Sequence, residues 1–389
     1  MSDQALPARI GTAIVGGGIV GLCLARLLAR DGAEVAILDD GTLAGTTANA
    51  GSLHVQMQSR FIRLYPEQAA ALERALPLYL AATREWFDLE RALEADFELK
   101  RTGGLMIAEN ERQFAFLADK ARRERARGLD VALVERAELM RLAPYLGESA
   151  YGAELCADEG KLNPLLANAA ILADARAAGA LHCAGTRVSR VAADGAGFVV
   201  ATNRGAMRAG RVVVAAGAGT GALLAPLGCR VPTVAEPLHM NVTEPMAPVV
   251  GHLVQHAERM ITLKQLASGH VVIGGGWPAR LAEAGPPLVR HESLVGNVAL
   301  AVRLAPGLAQ ARVVRTWAGI NTTSDGQCTI GPAGPRGLFV AVPGDAGYTL
   351  GPLVARLAWQ SLRGERPYFD LAPFAPSRFA HDGENAAVG

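Results

Sequence analysis

A glycine-rich turn near the start of the chain has the residue types and spacing of a phosphate-binding site. The apolar run 12–15 leads into GGGIVG at residues 16–21, and a second apolar run ends at Asp39, eighteen residues after Gly21. Glycines at positions 16, 18 and 21 would permit a tight turn, close approach of the backbone to a pyrophosphate, and close packing of helix on strand. The helix N-terminus would face the phosphates, and Asp39 would accept hydrogen bonds from a ribose. The pattern predicts a site for an adenine dinucleotide.

The elements that must position this turn follow from the hydrophobic pattern. Residues 12–40 have the pattern of a strand, a helix and a second strand. Further helices are predicted over residues 66–95, 110–127, 164–178, 286–304 and 348–363. Further strands are predicted over 181–191, 197–202, 211–215 and 337–342, and the short alternating runs of 236–280 are typical of an antiparallel sheet. The Arg-rich residues 120–127 are expected to form a solvent-exposed helix face.

Length, composition and charge limit the class of protein. The chain has 389 residues, more than one ordinary domain holds, and half of them are hydrophobic. The net charge of +1 gives no electrostatic reason to expect binding to nucleic acid or to an anionic membrane. No apolar run of about 18 residues occurs, and no signal-peptide core precedes the first strand. We therefore expect a soluble, cytoplasmic protein, with membrane association through a partner left open.

The five cysteines are scattered along the chain. Cys23, Cys156, Cys183, Cys229 and Cys328 form no CxxC pair. This spacing argues against a zinc site, an iron–sulfur cluster held by this chain, or a disulfide framework. We expect buried, reduced thiols and no metal ligands.

Three units of strand and glycine turn bracket two inserted segments. They lie near residues 12–40, 211–219 and 337–351. They predict one dinucleotide-binding domain in three pieces and a sheet-based substrate domain between the pieces. The pieces of the first domain are residues 1–85, 150–235 and 310–389, and those of the second are residues 86–149 and 236–309.

Five stretches rich in small residues follow one another along the chain. They are GGGIVG at 16–21 with its later acid, TTANAGS at 46–52, VVVAAGA at 212–218, WAGI at 317–320 with DG at 325–326 and IGP at 330–332, and GYTLGP at 347–352. In this order they resemble the D-amino-acid oxidase, glycine oxidase and sarcosine oxidase family of FAD enzymes, over about residues 10–379. The resemblance implies FAD as the cofactor. It also implies an α/β fold class: a discontinuous Rossmann-like FAD-binding domain of glutathione-reductase-like topology, and a second α+β domain on an antiparallel sheet.

The resemblance implies a set of FAD contacts, mostly within these stretches. The expected contact residues are Gly16, Gly18, Ile19, Val20, Gly21, Asp39, Asp40, Thr46, Thr47, Asn49, Ala50, Gly51, Ser52, Leu53, Val188, Ala216, Gly217, Trp317, Gly319, Gly344, Gly347, Tyr348, Thr349 and Leu350. In the fifth stretch, N–H groups at a helix N-terminus would stabilise the negative charge of reduced flavin near N1 and O2, and a purely structural turn is the alternative. A covalent flavin link would need a placed cysteine or histidine. Cys328 lies in the right region, but the sequence does not position it, and we expect non-covalent binding.

Members of the family oxidise a C–N bond. Hydride passes from the carbon next to an amine to flavin N5, and the imine is hydrolysed, so the protein mainly orients an unprotonated amine and excludes water. Related amino-acid oxidases usually offer an arginine shortly after the WAGI stretch to clamp the substrate carboxylate. Here that place is Asn321, which supplies no positive charge. Either the carboxylate is held elsewhere, or the substrate is not a simple amino acid.

Several cationic or titratable side chains are candidates for the substrate site. His54 is expected close to the flavin ring, and Lys264 lies on the predicted sheet over the flavin. Arg60 and Arg63 resemble an arginine pair that sarcosine oxidases place near the substrate, and His239 lies at the start of a sheet strand. Each has a structural alternative, as an exposed arginine or lysine or as a core histidine. We favour His54, Lys264, Arg63 and Asn321 as the residues of the substrate site.

The segment NAGSLHVQ at residues 49–56 and the missing arginine narrow the resemblance. They look most like the FAD-bearing beta subunits of opine oxidases and D-hydroxyproline dehydrogenases. This implies a secondary amine or imino acid as substrate, and partner subunits that carry FMN and an iron–sulfur cluster and take up the electrons. Two alternatives stay open: a self-sufficient D-amino-acid or glycine oxidase that makes hydrogen peroxide, and a non-catalytic FAD-binding assembly subunit.

Overall fold

Strands and helices follow the predicted pattern over most of the chain. The structure, a computed structural model, describes residues 5–42, 45–283 and 285–380. Its strands are β1 (Arg9–Val15), β2 (Val35–Asp39), β3 (Ser52–Leu53), β4 (Gly104–Ala108), β5 (Val131–Glu135), β6 (Gly152–Cys156), β7 (Gly160–Lys161), β8 (Leu181–Ala184), β9 (Val188–Asp194), β10 (Gly197–Thr202), β11 (Gly205–Val214), β12 (Val234–Pro245), β13 (Leu253–His256), β14 (Thr262–Gln265), β15 (His270–Gly274), β16 (Val313–Thr323), β17 (Thr329–Pro332) and β18 (Leu338–Val342). Its helices are α1 (Ile19–Arg30), α2 (Ser59–Leu64), α3 (Ala69–Leu93), α4 (Glu111–Arg125), α5 (Arg136–Leu142), α6 (Pro164–Ala177), α7 (Thr220–Leu224), α8 (His291–Leu304) and α9 (Gly347–Leu362).

The first compact unit comprises the described parts of Met1–Thr47, Asn168–Glu236 and Asn321–Gly389. Its sheet has the strand order β17-β18-β11-β1-β2-β8, and β1 pairs in parallel with both β11 and β2. Central parallel strands are covered on both faces, which explains the continuous apolar runs at 12–15 and 35–38. Side chains of β1, β2, β11 and β18 form the core of this unit. The succession β1, α1, β2 confirms the first predicted βαβ unit.

The carboxyl ends of these parallel strands meet at one edge of the sheet. Val15 of β1 is in register with Val214 of β11 and with Leu38 of β2. The turn that starts at Gly16, the side chain of Asp39 and the turn after β11 all follow strand ends at this edge. Open α/β sheets bind ligands in the crevice outside such an edge. The fold thus gathers the predicted dinucleotide residues of this unit.

The second compact unit comprises the described parts of Ala48–Ala167 and Pro237–Ile320. Its main sheet has the strand order β16-β12-β15-β14-β13-β4-β6-β5, and β3 pairs separately with β7. The pairings among β12, β15, β14 and β13 are antiparallel, as expected for residues 236–280, whereas β13 and β4 pair in parallel. No strand was predicted where β4, β5 and β6 lie. A five-residue run such as β4 is too short to distinguish a buried strand from part of a buried helix.

The mainly parallel first sheet and the mainly antiparallel second sheet confirm the expected fold class. The compact units do not coincide with the predicted domain pieces, because residues 48–85, 150–167 and 310–320 belong to the second unit. The assignment of FAD binding to the longer pieces stays a prediction. The prediction of an exposed helix face over 120–127 was wrong in part, because Lys120 and Glu124 of α4 are fully buried.

Candidate active site

The glycines of the dinucleotide turn meet different spatial demands. Gly16 has a φ of +117°, and a Cβ there would overlap the carbonyl group of Ala215. A Cβ at Gly21 would overlap the carbonyl oxygen of Gly16, so glycine lets α1 start close to the turn. At Gly18, the nearest described atom to a Cβ is the Thr46 hydroxyl oxygen, at 3.2 Å. The fold itself requires Gly16 and Gly21, whereas Gly18 keeps the backbone accessible to a ligand.

The N-terminus of α1 has the properties of an anion site. Its N-cap is Gly18 in an extended conformation, with no side-chain cap, and its first turn holds no acidic residue. The N–H of Ile19 donates to the Thr46 hydroxyl at 2.8 Å, which fixes Thr46 beside the turn. The N–H groups of a first helical turn lack partners within the helix, and with the helix dipole they favour a phosphate. Gly18, Ile19, Val20 and Thr46 therefore suit a pyrophosphate.

Asp39 is held as an oriented acceptor at the end of β2. Its Oδ1 accepts a hydrogen bond from the N–H of Gly41 at 3.0 Å, and its Oδ2 accepts one from His182 Nε2 at 3.1 Å. Arg176 donates to His182 Nδ1 at 2.8 Å, so the histidine proton lies on Nε2 and faces Asp39. This hydrogen bond lowers the pKa of Asp39 against the opposing effect of burial. A fixed carboxylate at this edge suits a ribose diol.

Two residues shape the surroundings of Asp39 in ways that the sequence did not reveal. His182 lies in β8, and the pairing of β8 with β2 brings it beside that strand. A histidine in a short strand gives no local signal of this role. The Asp39 side chain also lies against Gly17, where a Cβ would overlap the carboxyl group. Gly17 was part of the motif, but only the fold shows why a glycine is needed there.

A second helix N-terminus lies in the same unit. α9 begins at Gly347, and its first turn contains Thr349 and Leu350, which were expected to contact the flavin. No acidic residue occupies this turn. A Cβ at Gly351, the fifth residue of α9, would lie 2.5 Å from the side chain of Ile19, the first residue of α1, so α9 packs closely on the start of α1. Two positive helix ends are thereby adjacent, which favours a ligand with negative charge along its length.

Tyr348 links the start of α9 to the loop that holds Thr46. Its hydroxyl donates to Asn168 Oδ1 at 2.9 Å, and Asn168 Nδ2 donates to the Thr46 carbonyl at 3.3 Å. Tyr348 is buried, and burial raises the pKa of its phenol well above the usual value. Its hydroxyl therefore stays a donor. Asn168 is a further supporting residue that the sequence did not reveal.

The other predicted cofactor residues of the first unit lie in turns or at strand ends. Asp40 accepts a hydrogen bond from the N–H of Thr42 at 2.9 Å. Gly217, next to Ala216, and Gly344 have positive φ values of +53° and +75°. Val188 begins β9, and Thr47 ends the first piece of the unit. Their contacts with a cofactor stay predictions.

Asp345, in the turn before α9, is an acidic residue that sequence reasoning did not select. Its Oδ1 is buried and has no hydrogen-bond partner among the described residues. Burial raises the pKa of Asp345 to about 6; a hydrogen bond with Thr323 opposes the rise, and the nearby Glu236 and Asp325 add to it. The carboxyl group thus binds a proton more readily in the folded chain than in the unfolded one.

Replacing Asp345 with asparagine should change how stability depends on pH. The raised pKa means that wild type loses stability as pH rises from about 4 through about 6, whereas Asp345→Asn does not. The variant should match wild type near pH 4 and exceed it by roughly 1–3 kcal/mol at pH 7. Thermal unfolding at both pH values measures this, with Asp88→Asn on the exposed face of α3 as control. A constant difference between Asp345→Asn and wild type at both pH values would contradict the assignment.

In the second unit, Trp317 and Gly319 of β16 pack on the loop that starts at Ala48. Trp317 Nε1 donates to the Ala48 carbonyl at 2.9 Å, and a Cβ at Gly319 would overlap the Ala48 side chain. In the same loop, Asn49 Oδ1 accepts a hydrogen bond from the N–H of Gly51, which has a φ of +76°. These contacts explain the small residues of two of the five stretches. Contacts of Trp317, Gly319, Asn49 and Gly51 with FAD stay predictions, as do those of Ala50 and Leu53.

Lys264 and Ser52 form a buried polar pair in this unit. Lys264 Nζ donates to Ser52 Oγ at 2.9 Å across 212 residues of sequence. The lysine is fully buried, and no anionic group acts on it among the described residues. Burial and the positive charge of Lys161 lower the pKa of Lys264 well below its usual value. A buried amine without an anionic partner is costly to charge and is a marker of functional sites.

His54 lies two residues beyond Ser52, next to Glu159. Its Nδ1 is 3.9 Å from Glu159 Oε1. Burial, with a smaller effect of Lys264, lowers the pKa of His54 to about 4. The imidazole is therefore neutral at physiological pH. The structure thus brings together two of the predicted substrate residues, His54 and Lys264, with Ser52.

The remaining substrate candidates have other partners. Arg63 pairs with Glu258 at 3.2 Å, and its guanidinium lies 3.7 Å from the centre of the Phe116 ring. Asn321, in the first unit, donates to Glu236 Oε2 at 3.1 Å. The side chain of Arg60 lies outside the described part of the chain.

His239 takes the structural alternative considered for it. It is fully buried, and its Nε2 donates to Asn241 Oδ1 at 2.9 Å. Asn241 in turn donates to Asn297 at 3.0 Å. Burial lowers the pKa of His239, so it is a neutral core histidine tied into an amide network.

The geometry of the first unit agrees with a family match along most of the chain. Residues 12–360 match the family described as FAD dependent oxidoreductase, DAO. The chain belongs to this family, and its cofactor is FAD. The two adjacent helix N-termini and the oriented Asp39 fit the pyrophosphate and the ribose of that cofactor. The expected family and the expected cofactor are confirmed.

Known relatives cover nearly the whole chain. It is similar to glycine oxidase from Geobacillus kaustophilus, with 28% identity over 383 residues that cover 95% of this chain and 97% of that enzyme. A crystal structure of that organism's glycine oxidase has a TM-score of 0.82, at 25% identity, and covers 96% of this chain and 99% of its own. The beta subunit of sarcosine oxidase from an Arthrobacter species is 28% identical over 389 residues, covering 94% of this chain and 90% of its own. An opine oxidase subunit from Rhizobium meliloti is 24% identical over 322 residues, covering 80% and 82%.

No helix among the described residues combines the length and the hydropathy that a membrane-spanning helix needs.

Proposed function

We propose that this chain oxidises the C–N bond of a secondary amine or imino acid, of the opine or D-hydroxyproline type. We further propose that it works in the cytoplasm as the FAD-bearing subunit of a dehydrogenase whose partner subunits carry FMN and an iron–sulfur cluster. Similarity to the beta subunit of sarcosine oxidase and to a subunit of opine oxidase supports both parts. The observation that carries the proposal is the buried Lys264, paired with Ser52 and lacking an anionic partner among the described residues.

The distribution of charge supports a substrate anion at Lys264. The position where an arginine was expected presents the amide of Asn321, already bonded to the carboxylate of Glu236. Arg63 is neutralised by Glu258. A carboxylate of the substrate would therefore find at Lys264 an amine with no anionic partner among the described residues, and its negative charge would favour the protonated form of the lysine. Binding of such a substrate would take up a proton.

The side chains of His54 and Ser52, next to Lys264, would orient the substrate amine. The neutral imidazole of His54 can accept or donate one hydrogen bond without adding charge. Ser52 fixes the Lys264 amine, so the anchor does not have to be ordered when the substrate binds. Bound FAD would supply the acceptor for the hydride that leaves the carbon next to the nitrogen.

Anaerobic mixing with a panel of amines tests the proposal. The purified FAD protein is mixed with octopine, nopaline, hydroxy-D-proline, sarcosine and glycine, and the loss of visible flavin absorbance is followed. We expect bleaching by an opine or by the imino acid, faster than by glycine. Bleaching by glycine alone would overturn the substrate class, and no bleaching by any amine would favour the non-catalytic assembly subunit.

The electron acceptor separates the dehydrogenase from an oxidase. The similarity to glycine oxidases favours the alternative of a self-sufficient oxidase. Peroxide formed by the purified chain in air, stoichiometric with substrate, would support that oxidase and contradict the dehydrogenase. Co-purification with chains that contain FMN and iron would support the proposed complex.

Replacing Lys264 with methionine should weaken the substrate complex. We expect the KM of the active amine to rise by the equivalent of roughly 2–5 kcal/mol, because the substrate carboxylate loses its cation. Steady-state kinetics with an artificial electron acceptor measure the change. Lys100→Met, at an exposed lysine of the same unit, is the matched control. An unchanged KM in Lys264→Met would remove the lysine from the substrate site.

A further inference from the structure

Glu159 is a fully buried glutamate next to the segment of residues 52–57. Its Oε1 accepts hydrogen bonds from the backbone N–H groups of Val55 at 2.8 Å and Gln56 at 3.2 Å. Its Oε2 accepts hydrogen bonds from the side-chain amides of Gln56 and Gln255, both at 2.8 Å. Four donors from three residues thus converge on one carboxylate that sequence reasoning did not select. Such an arrangement fixes the donors as firmly as it fixes the acceptor.

Backbone pairing also fixes the start of this segment, at Ser52 and Leu53. β7 follows Glu159 directly and pairs antiparallel with β3, with Ser52 opposite Lys161 and Leu53 opposite Gly160. The pairing and the Glu159 side chain together hold the backbone from Ser52 to Gln56. Ser52 at one end of this stretch bonds Lys264, and His54 in the middle lies 3.9 Å from the Glu159 carboxylate.

The fold provides space for this carboxylate at the start of β4. A Cβ at Gly104 would overlap the carboxyl group of Glu159. The preceding residue, Gly103, donates its N–H to the Glu159 carbonyl at 3.0 Å. The side chain and the main chain of Glu159 are therefore both tied to β4, which belongs to the main sheet of the unit. Glu159 connects the segment to a rigid element.

We propose that Glu159 is a positioning residue: it holds residues 52–57 in the conformation that brings Ser52 to Lys264 and keeps His54 in place, without itself contacting the substrate. That Ser52, His54 and Lys264 belong to the substrate site rests on the proposed function. The attachment of the segment to β4 through Glu159 does not rest on it, so the attachment and the substrate site can be tested separately.

Two substitutions at Glu159 should weaken this attachment to different extents. Glu159→Gln keeps an oxygen for the N–H groups of Val55 and Gln56, but its new NH₂ group faces the amides of Gln56 and Gln255. Gln56 cannot turn its amide without losing the bond that its oxygen accepts from Lys120 at 3.2 Å. Glu159→Ala removes all four hydrogen bonds. Glu154→Gln is the matched control, because Glu154 is also a fully buried glutamate of this unit but bonds Lys120.

Hydrogen–deuterium exchange of the purified FAD protein tests the attachment. In the peptide that covers residues 52–57, exchange should become at least tenfold faster in Glu159→Ala and faster by a smaller factor in Glu159→Gln. Exchange in the rest of the unit and the unfolding temperature of Glu159→Gln should change little. Glu154→Gln should exchange like wild type throughout. Unchanged exchange over 52–57 in both Glu159 variants would overturn the proposal, as would an equal acceleration across the whole unit.

Flavin bleaching by the active amine tests the consequence for the site. Glu159→Gln should bleach at least tenfold more slowly at saturating amine while its FAD absorbance and unfolding temperature match wild type. A purely structural role would lower stability and leave this rate unchanged, and that result would contradict the proposal. If no amine bleaches wild type, the proposed function fails, and the exchange measurements still decide whether Glu159 holds the segment.

Discussion

Replacing Gly18 with valine is expected to give a folded protein that purifies without FAD. The backbone at Gly18 is extended, with φ −74° and ψ 179°, and valine adopts this conformation readily. The nearest described atom to a Cβ there is the Thr46 hydroxyl oxygen at 3.2 Å, which needs a shift of a few tenths of an ångström. The branched side chain would then block the approach of a pyrophosphate to the N-terminus of α1. We expect the affinity for FAD to fall at least a hundredfold, about 3 kcal/mol.

Visible flavin absorbance after purification and titration of the apoprotein with FAD measure this loss. Circular dichroism shows whether the variant is folded. Gly251→Val is the control in the second unit, since Gly251 is exposed and a Cβ there would lie 4.0 Å from the Tyr145 ring. Gly16→Val gives the contrast, because its positive φ and its overlap with Ala215 should cost the fold itself. A Gly18→Val protein that carries FAD at the wild-type level would refute the position of the cofactor.

The nucleotide side of the site could be predicted because its signals are local. Where the turn has a φ of +117°, or where a helix must approach closely, the requirement is visible in the sequence as a glycine at that position. The apolar runs that flank the turn and the acid at the end of β2 lie within about thirty residues of each other. The same local logic predicted a helix from residue 348, one residue after the observed start of α9 at Gly347. His182 and Asn168 were missed because strand pairing and helix packing, rather than a motif, bring them there.

On the substrate side, the sequence predicted which side chains are candidates but not the contacts that they make. Lys264 was chosen for its charge, but its bond to Ser52 depends on the register of β14 and of the loop that leads into β3. Glu159 lies in the sequence Asp158-Glu159-Gly160-Lys161, which has the composition of an exposed turn. Four donors and the missing side chain of Gly104 make it a buried acceptor instead. Arg63 has the right charge to bind a substrate carboxylate, but it already forms an ion pair with Glu258.

Replacing Lys120 with methionine is expected to destabilise the second unit strongly. Lys120 is fully buried, and its ammonium donates to Glu154 at 2.8 Å, Glu124 at 2.9 Å and Gln56 at 3.2 Å. Burial alone would lower the pKa of Lys120, but Glu154 and Glu124 outweigh that effect and raise it. Burial also raises the pKa of Glu154 well above its usual value, and the positive charge of Lys120 opposes that rise.

Methionine fills a similar volume but leaves the Glu124 carboxylate buried without its cation. Removal of one partner from a buried ion pair costs about 3–5 kcal/mol, so we expect the unfolding midpoint to fall by that equivalent. Three of the four tryptophans, Trp86, Trp277 and Trp317, lie in this unit, so tryptophan fluorescence during denaturant unfolding reports on it. The double variant Lys120→Met/Glu124→Gln should recover most of the loss, because both charges of the Lys120–Glu124 pair are then absent. Equal destabilisation in the single and the double variant would show that packing, not charge, holds α4 in place.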